Sequence, residues 1–164
     1  MKLLYIVRHA KAQHDAETSK DFDRALTESG INDAYAMSKY LYEHADMPDT
    51  LLASSAKRTL QTAEIFAETF KFDKDKILKQ KDIYHALDAT DLISVVKALP
   101  DKTEIVFLFG HNPSVTALAN YCTESQFHEL PTCAIARIEL NAETWVAFDI
   151  KTATWTNFWV PKTV

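Results

Sequence analysis

Apolar positions along the chain follow two patterns, and the change between them comes at Pro131. Before it stand three short, unbroken apolar runs: Leu3–Val7, the residues just ahead of Ser54, and Ile105–Phe109. Runs of this length without alternation suit strands covered on both faces. After Pro131 the residues alternate. Ala134, Ala136, Ile138 and Leu140 form one series, Val146, Phe148 and Ile150 a second, and Phe158 with Val160 a third. Short turns separate them, which predicts an antiparallel meander.

Four helices follow from apolar spacing. Thr27 is the expected N-cap of the first, with Ile31, Ala34, Tyr35, Leu41 and Tyr42 on its inner face. Leu60, Ala63, Ala67 and Phe70 mark the second. The third carries Leu92, Val95, Val96 and Leu99, is capped by Asp88 and stops before Pro100. Asn112-Pro113 reads as the N-cap and first helical residue of the fourth, with Val115, Leu118, Ala119 and Cys122 facing inward. The order predicts an α/β fold, a three-layer α/β/α sandwich around a mixed, mostly parallel central sheet.

Composition narrows the class. The chain has 164 residues, 47% hydrophobic and 25% charged, enough for one globular domain over residues 1–164 with a sizeable core. No apolar run is long enough to span a bilayer. The first run stops at Arg8, too short for a signal-peptide core, so a cytoplasmic location is expected and no membrane partner. The net charge is −5 and no basic stripe is evident, which argues against nucleic acid. Cys122 and Cys133 form no metal-ligand spacing and no disulfide framework, and are read as packing residues. Trp145, Trp155 and Trp159 fall on expected strands and are read as core or sheet-face packing. There is no glycine-rich nucleotide loop.

The chemistry lies where strands should give way to helices, the end of an open α/β sheet at which ligands bind. Arg8-His9 follows the first run, Ser54–Ala63 with Arg58 follows the second, and Gly110-His111-Asn112-Pro113 follows the third. Gly110 permits positive φ and close backbone approach at its junction. Two arginines and two histidines converging there describe a pocket for a phosphoryl group. Arginine suits phosphate because its planar fork binds two oxygens and stays charged. His9 is the candidate in-line nucleophile, which would form a phosphohistidine for water to hydrolyse. His111, at a helix amino end and held protonated by the phosphate charge, is the candidate for further hydrogen bonds.

These segments resemble the histidine phosphatase superfamily, which includes the phosphoglycerate mutases. Its Arg-His-Gly or Arg-His-Ala is matched by Arg8-His9-Ala10. Its serine, arginine, glutamine-threonine segment is matched by Ser54 or Ser55, Arg58, Gln61 and Thr62, and its late Gly-His by Gly110-His111. The resemblance implies a phosphoglycerate mutase-like fold, His9 as the phosphorylated nucleophile, and Arg8, Arg58 and His111 as phosphate ligands, with no metal and no cofactor. The compact SixA-type branch is most similar, and implies action on phosphohistidine in signalling proteins. Asp23–Gly30 resembles that branch's Arg-Pro-Leu-Thr…Gly element, departing from it at Ala25, where proline is usual. Arg24 is then a third candidate phosphate ligand, or a structural pair with Asp23.

Larger relatives insert a lid carrying a general acid, and there is no room for one between Phe70 and Asp88. Asp82, in Lys81–His85, is the candidate acid and His85 its rival. His14, His44 and His128 carry no spacing signal and are read as surface or structural residues. The expected activity is a cofactor-independent phosphatase. Its expected partner is a phosphorylated protein such as a histidine-phosphotransfer domain. The alternatives are a small phosphoester substrate, or a phosphoprotein-binding module without turnover.

Overall fold

Alternate residues of a strand face opposite ways, and here both ways are apolar. In the computed structural model, β1 (Lys2–Arg8) turns Leu4 and Ile6 into one core layer and Tyr5 and Val7 into the other. All four are buried. The structure describes residues 1–14, 20–124 and 129–164, so His128 lies outside the described residues. Five more strands join β1: β2 (Thr50–Ser54), β3 (Leu78–Gln80), β4 (Ile105–Gly110), β5 (Ile135–Leu140) and β6 (Ala153–Trp159). They make one sheet in the order β3-β2-β4-β1-β5-β6. The first four of that order are parallel neighbours, while β5 runs antiparallel to both β1 and β6.

Helices cover both faces. α1 (Glu28–His44) and α2 (Lys57–Phe70) pack on the face of Tyr5, Val7, Phe107 and Phe109. On the other face, α3 (Lys81–His85), α4 (Ala89–Lys97) and α5 (Ser114–Tyr121) pack against Leu4, Ile6, Val106 and Leu108. The fold is the expected α/β sandwich with a mixed, mostly parallel sheet. Two expected caps are present: Thr27 accepts from the Gly30 N–H, and Asp88 from the Asp91 N–H.

Other expectations change. The inner face of α1 is Ala34, Met37, Ser38 and Leu41, whereas Ile31, Tyr35 and Tyr42 are exposed. The series Val146, Phe148, Ile150 is not a strand. Residues Trp145–Ala147 form a 3-10 turn that buries Trp145, and the Asp149 carboxylate accepts from the Lys151 and Thr152 N–H groups. That local turn outcompetes extended backbone. α5 starts at Ser114 with Pro113 at the N-cap, and Asn112 instead accepts a 2.6 Å hydrogen bond from Thr116. Gly110 does not have positive φ; close approach is what it provides, since a Cβ there would lie 2.8 Å from Val115 Cγ1. The segment after α2 builds β3 and α3, neither of which the apolar pattern reveals.

Gly30 shows how the fold positions the loop after β1. A Cβ at Gly30 would collide with the Lys11 carbonyl oxygen and lie 3.0 Å from Lys11 C and N. The same carbonyl accepts from the Thr27 N–H at 2.9 Å, and Gln13 N–H donates to Ala25 O at 2.8 Å. Gly30→Ala is therefore expected to destabilise the protein. The helix gains about 1 kcal/mol of propensity, but overpacking against backbone costs roughly 1–3 kcal/mol. Urea unfolding should show a lower midpoint, with catalytic efficiency reduced because Lys11 lies two residues from His9. An unchanged midpoint would mean the loop yields freely.

Candidate active site

Arg8 ends β1 and Gly110 ends β4, and the register pairs them directly. His9 and His111 therefore leave the sheet side by side, with ring centroids 5.3 Å apart and planes tilted by 55°. The His9 backbone is held on both edges. Its N–H donates to the Gly110 carbonyl and its carbonyl accepts from the Cys133 N–H, each at 3.1 Å. Next along, the Ala10 N–H donates to Thr62 Oγ1 at 3.0 Å, which ties the loop to α2. Gln61, one residue earlier on α2, accepts from the Leu26 N–H at 2.8 Å. Gln61 and Thr62 thus join the two loops that frame the site.

The His9 side chain has a defined tautomer. Its Nδ1 lies 2.7 Å from the Ala10 carbonyl, which can only accept, so Nδ1 carries the proton. Nε2 keeps its lone pair. Burial lowers the His9 pKa to about 4, opposed by the Ala10 hydrogen bond and aided by the Arg58 and Arg8 charges. At pH 7 the ring is neutral and nucleophilic.

His111 is set differently. Its Nε2 lies 2.6 Å from Ser54 Oγ and 3.1 Å from Thr59 Oγ1. Burial, followed by the His9 and Arg58 charges, lowers its pKa to about 3. The sequence led to a protonated His111 under a phosphate; in the free protein burial prevails and the ring is neutral.

Both shifts fix the sign of a stability profile. The folded pKa values, about 4 and about 3, lie below the ordinary histidine value of 6.5. The unfolded chain then binds more protons as pH falls below 6.5, so stability is level above that value and declines beneath it. Each histidine is expected to cost roughly 2 kcal/mol at pH 5 relative to pH 7. Denaturant titrations at the two pH values check this, and equal stabilities would contradict neutral burial of the rings.

The arginines surround the histidines. Arg58, in the first turn of α2, is buried and gives Nη1 to the Asp21 carbonyl at 2.7 Å and Nη2 to its carboxylate at 3.2 Å. Arg24 holds the other Asp21 oxygen through Nε at 3.2 Å and Nη2 at 2.9 Å. Tyr84 donates its hydroxyl to Asp21 at 2.8 Å. Desolvation pushes the Asp21 pKa up, but the hydrogen bonds from Tyr84 and Arg24 and the Arg58 charge prevail and hold it at about 2. Arg8 gives Nη1 to the Leu130 carbonyl at 2.7 Å and lies 3.6 Å from the Glu129 carboxylate.

What these groups leave unpaired is the most informative feature. Among the described residues, the buried side-chain nitrogens and oxygens without a hydrogen-bond partner are Arg8 Nε, Arg58 Nε, His111 Nδ1 and Ser55 Oγ. All four belong to the three segments singled out in the sequence. Arg8, Arg58 and His111 line one cleft of about 610 Å³ together with His9, Asp21 and Arg24. Buried polar atoms are normally paired, and leaving one unpaired costs about 1–3 kcal/mol. Three such nitrogens around a nucleophilic one can hold the equatorial oxygens of a phosphoryl group.

Asp82 lies elsewhere. It lines a separate groove of about 360 Å³ with Gln80, Asp91 and Ser94, while His85 lines both that groove and the cleft. Asp21, Tyr84, Lys11 and His14 also line the cleft and carried no motif signal in the sequence. Arg24 pairs with Asp21 rather than Asp23. His44 stays at the end of α1, donating to the Tyr40 carbonyl at 2.8 Å. Cys122 and Cys133 are buried, and burial raises the Cys122 thiol to about 12. Among the described residues, no three His, Cys, Asp or Glu side chains cluster to hold a metal ion, and no helix is long and apolar enough to cross a membrane.

Comparison with known proteins agrees with the geometry. Residues 4–82 match the histidine phosphatase superfamily (branch 1). The SixA protein of Agrobacterium tumefaciens, named as a candidate phosphohistidine phosphatase, is 26% identical with a TM-score of 0.81, over 98% of this chain and 99% of that one. The protein histidine phosphatase SixA, solved with tungstate, shares the fold at a TM-score of 0.79 and 22% identity, over 98% of this chain and 97% of that one. Uncharacterized protein ML1117 of Mycobacterium leprae is 24% identical over 95% of this chain and all of its own length. With Arg8-His9, Arg58 and His111 gathered at one end of this sheet, the chain is similar to the histidine phosphatase superfamily over residues 4–82 and to SixA proteins along almost its whole length.

Proposed function

We propose that the protein removes phosphoryl groups from phosphohistidine on other proteins, with His9 Nε2 as the nucleophile. The observation that carries this is the neutral His9 set beside the unpaired Arg8 Nε, Arg58 Nε and His111 Nδ1. Attack forms the Nε2–P bond as the P–N bond to the substrate imidazole breaks, and that imidazole takes up a proton from solvent, which the later attack of water on phosphorus returns. Water then cleaves the enzyme phosphohistidine to release phosphate. Arg8, Arg58 and His111 hold the oxygens in both steps, and Arg24 joins them from the mouth.

The nature of the acid supports the substrate class. Among the described residues lining the cleft, Asp21 is the one carboxylate, and at a pKa of about 2 it is ionised and a poor proton donor. Asp82 faces the other groove. Alkyl phosphates expel an alkoxide and need a proton during cleavage, whereas an imidazole leaves with weak acid assistance. The tungstate held by the similar SixA is an oxyanion of phosphate-like shape, which suits the same reading.

The test compares kcat/KM for a phosphorylated histidine-phosphotransfer domain, an aryl phosphate and a sugar phosphate. The expected order is phosphohistidine protein first, aryl phosphate second and sugar phosphate last. A sugar phosphate turned over fastest would make this a small-ester phosphatase. Binding of the phosphoprotein with no phosphate released from any substrate would make it a binding module.

A further inference from the structure

We propose that Tyr84 determines leaving-group specificity, its ring forming, with Phe22 behind it, a wall against which an aromatic leaving group rests. The inference deepens the function proposed above and depends on it. In-line attack requires the leaving group to point away from His9, toward the cleft mouth. Rings follow one another from His9, and Tyr84 is the one of them, beyond the two histidines, that lines the cleft. His111 lies 5.3 Å from His9, Tyr84 lies 5.6 Å from His111 at 79°, and Phe22 lies 5.2 Å from Tyr84 at 90°.

Tyr84 is held in place by its own chemistry. Its hydroxyl is bound by Asp21 Oδ2 at 2.8 Å, the same oxygen that accepts from Arg58 Nη2. The ring therefore has a fixed orientation beside the phosphate-binding nitrogens. Two exposed apolar side chains lie nearby: Phe22, 37% exposed and in edge contact with Tyr84, and Leu87, 73% exposed and lining the cleft. A planar ring on the substrate gains edge-to-face or offset contact here. The imidazole of phosphohistidine and the phenol of an aryl ester both present such a ring; an acyl group does not.

Three substrates and two variants test the proposal. N-phosphohistidine and phenyl phosphate carry ring leaving groups; acetyl phosphate has a good leaving group without a ring. Tyr84→Leu removes the ring, and Tyr84→Phe keeps it while losing the bond to Asp21. In kcat/KM, Tyr84→Leu is expected to lose about threefold to tenfold more on the two ring substrates than on acetyl phosphate. Tyr84→Phe is expected to retain most of the discrimination. Equal losses on all three substrates would assign Tyr84 to holding Asp21 and Arg58, and would overturn the proposal. Unchanged kinetics in Tyr84→Leu would overturn it too. An unaltered protein that hydrolyses none of the three but dephosphorylates a histidine-phosphotransfer domain would overturn this proposal alone, and one that releases no phosphate from that domain either would overturn the phosphatase reading with it.

Discussion

Replacing His9 with alanine is expected to lower turnover by roughly 10⁴-fold or more while leaving the protein folded. The loss is large because, among the described residues, no other group combines the same features. His9 is neutral, its Nδ1 proton is committed to the Ala10 carbonyl, and its Nε2 lone pair is free. The neighbouring His111 presents Nε2 to Ser54 and Thr59 instead, so it is not placed to substitute. The fold should persist because the His9 backbone, not its ring, carries the links to Gly110 and Cys133. The variant should also resist acid better than the parent between pH 6.5 and about 4, since its unfolded chain has one histidine fewer to protonate. Phosphate release and denaturant unfolding measure the two halves of this expectation. Near-normal turnover would remove His9 from the chemistry.

Arg58→Ala is expected to cost roughly 10²–10³-fold in kcat/KM, the usual loss when one preorganised donor to developing charge is removed. Tungstate or vanadate should inhibit the variant more weakly. The structure adds a second reason for a large effect. Arg58 gives both terminal nitrogens to Asp21 while its buried Nε has no partner, so its removal also releases Asp21 toward an incoming anion. Arg58→Lys should be impaired as well, because one ammonium cannot grip Asp21 and still reproduce the fork at the cleft. Inhibition constants and steady-state rates check this. Unchanged oxyanion affinity in Arg58→Ala would place Arg58 outside the phosphate pocket.

The sequence was most legible where local chemistry and strand ends coincide. Arg8, His9 and His111 stand at the ends of unbroken apolar runs, and β1 and β4 do pair so that those ends meet. Arg58 was legible for a related reason, one helical turn past the end of β2. Asp21 was not, because its role depends on a 3-10 turn that brings it to an arginine 37 residues away. Nothing in the sequence around Asp21 distinguishes its carboxylate from an ordinary surface one, although Arg24 beside it was a candidate. Tyr84 was hidden similarly, on a helix of only five residues that shows no periodicity.

The misread elements have physical causes too. On α1, apolar spacing puts Tyr35 inside, yet its hydroxyl reaches outward to Glu68, while the small polar Ser38 is buried against Thr69. A pair of hydroxyls that satisfy each other can sit inside, and apolar spacing cannot register that. The alternation of Val146, Phe148 and Ile150 resembled a strand, but Asp149 and Thr152 build a turn from their own side chains. Trp145 anchors that turn by donating to the Thr103 carbonyl at 2.8 Å. Asp82 was a candidate by position relative to larger relatives, and the structure sets it in the groove beside α4.

One measurement bears most directly on the mechanism. The protein is mixed with a histidine-phosphotransfer domain carrying a radiolabelled phosphoryl group, quenched within the first turnover, and digested for peptide mapping. The expected result is label on the peptide containing His9, stable in alkali and lost in acid, with none in His9→Ala. Phosphate released at full rate without any labelled enzyme, or label carried by His111 in place of His9, would contradict it.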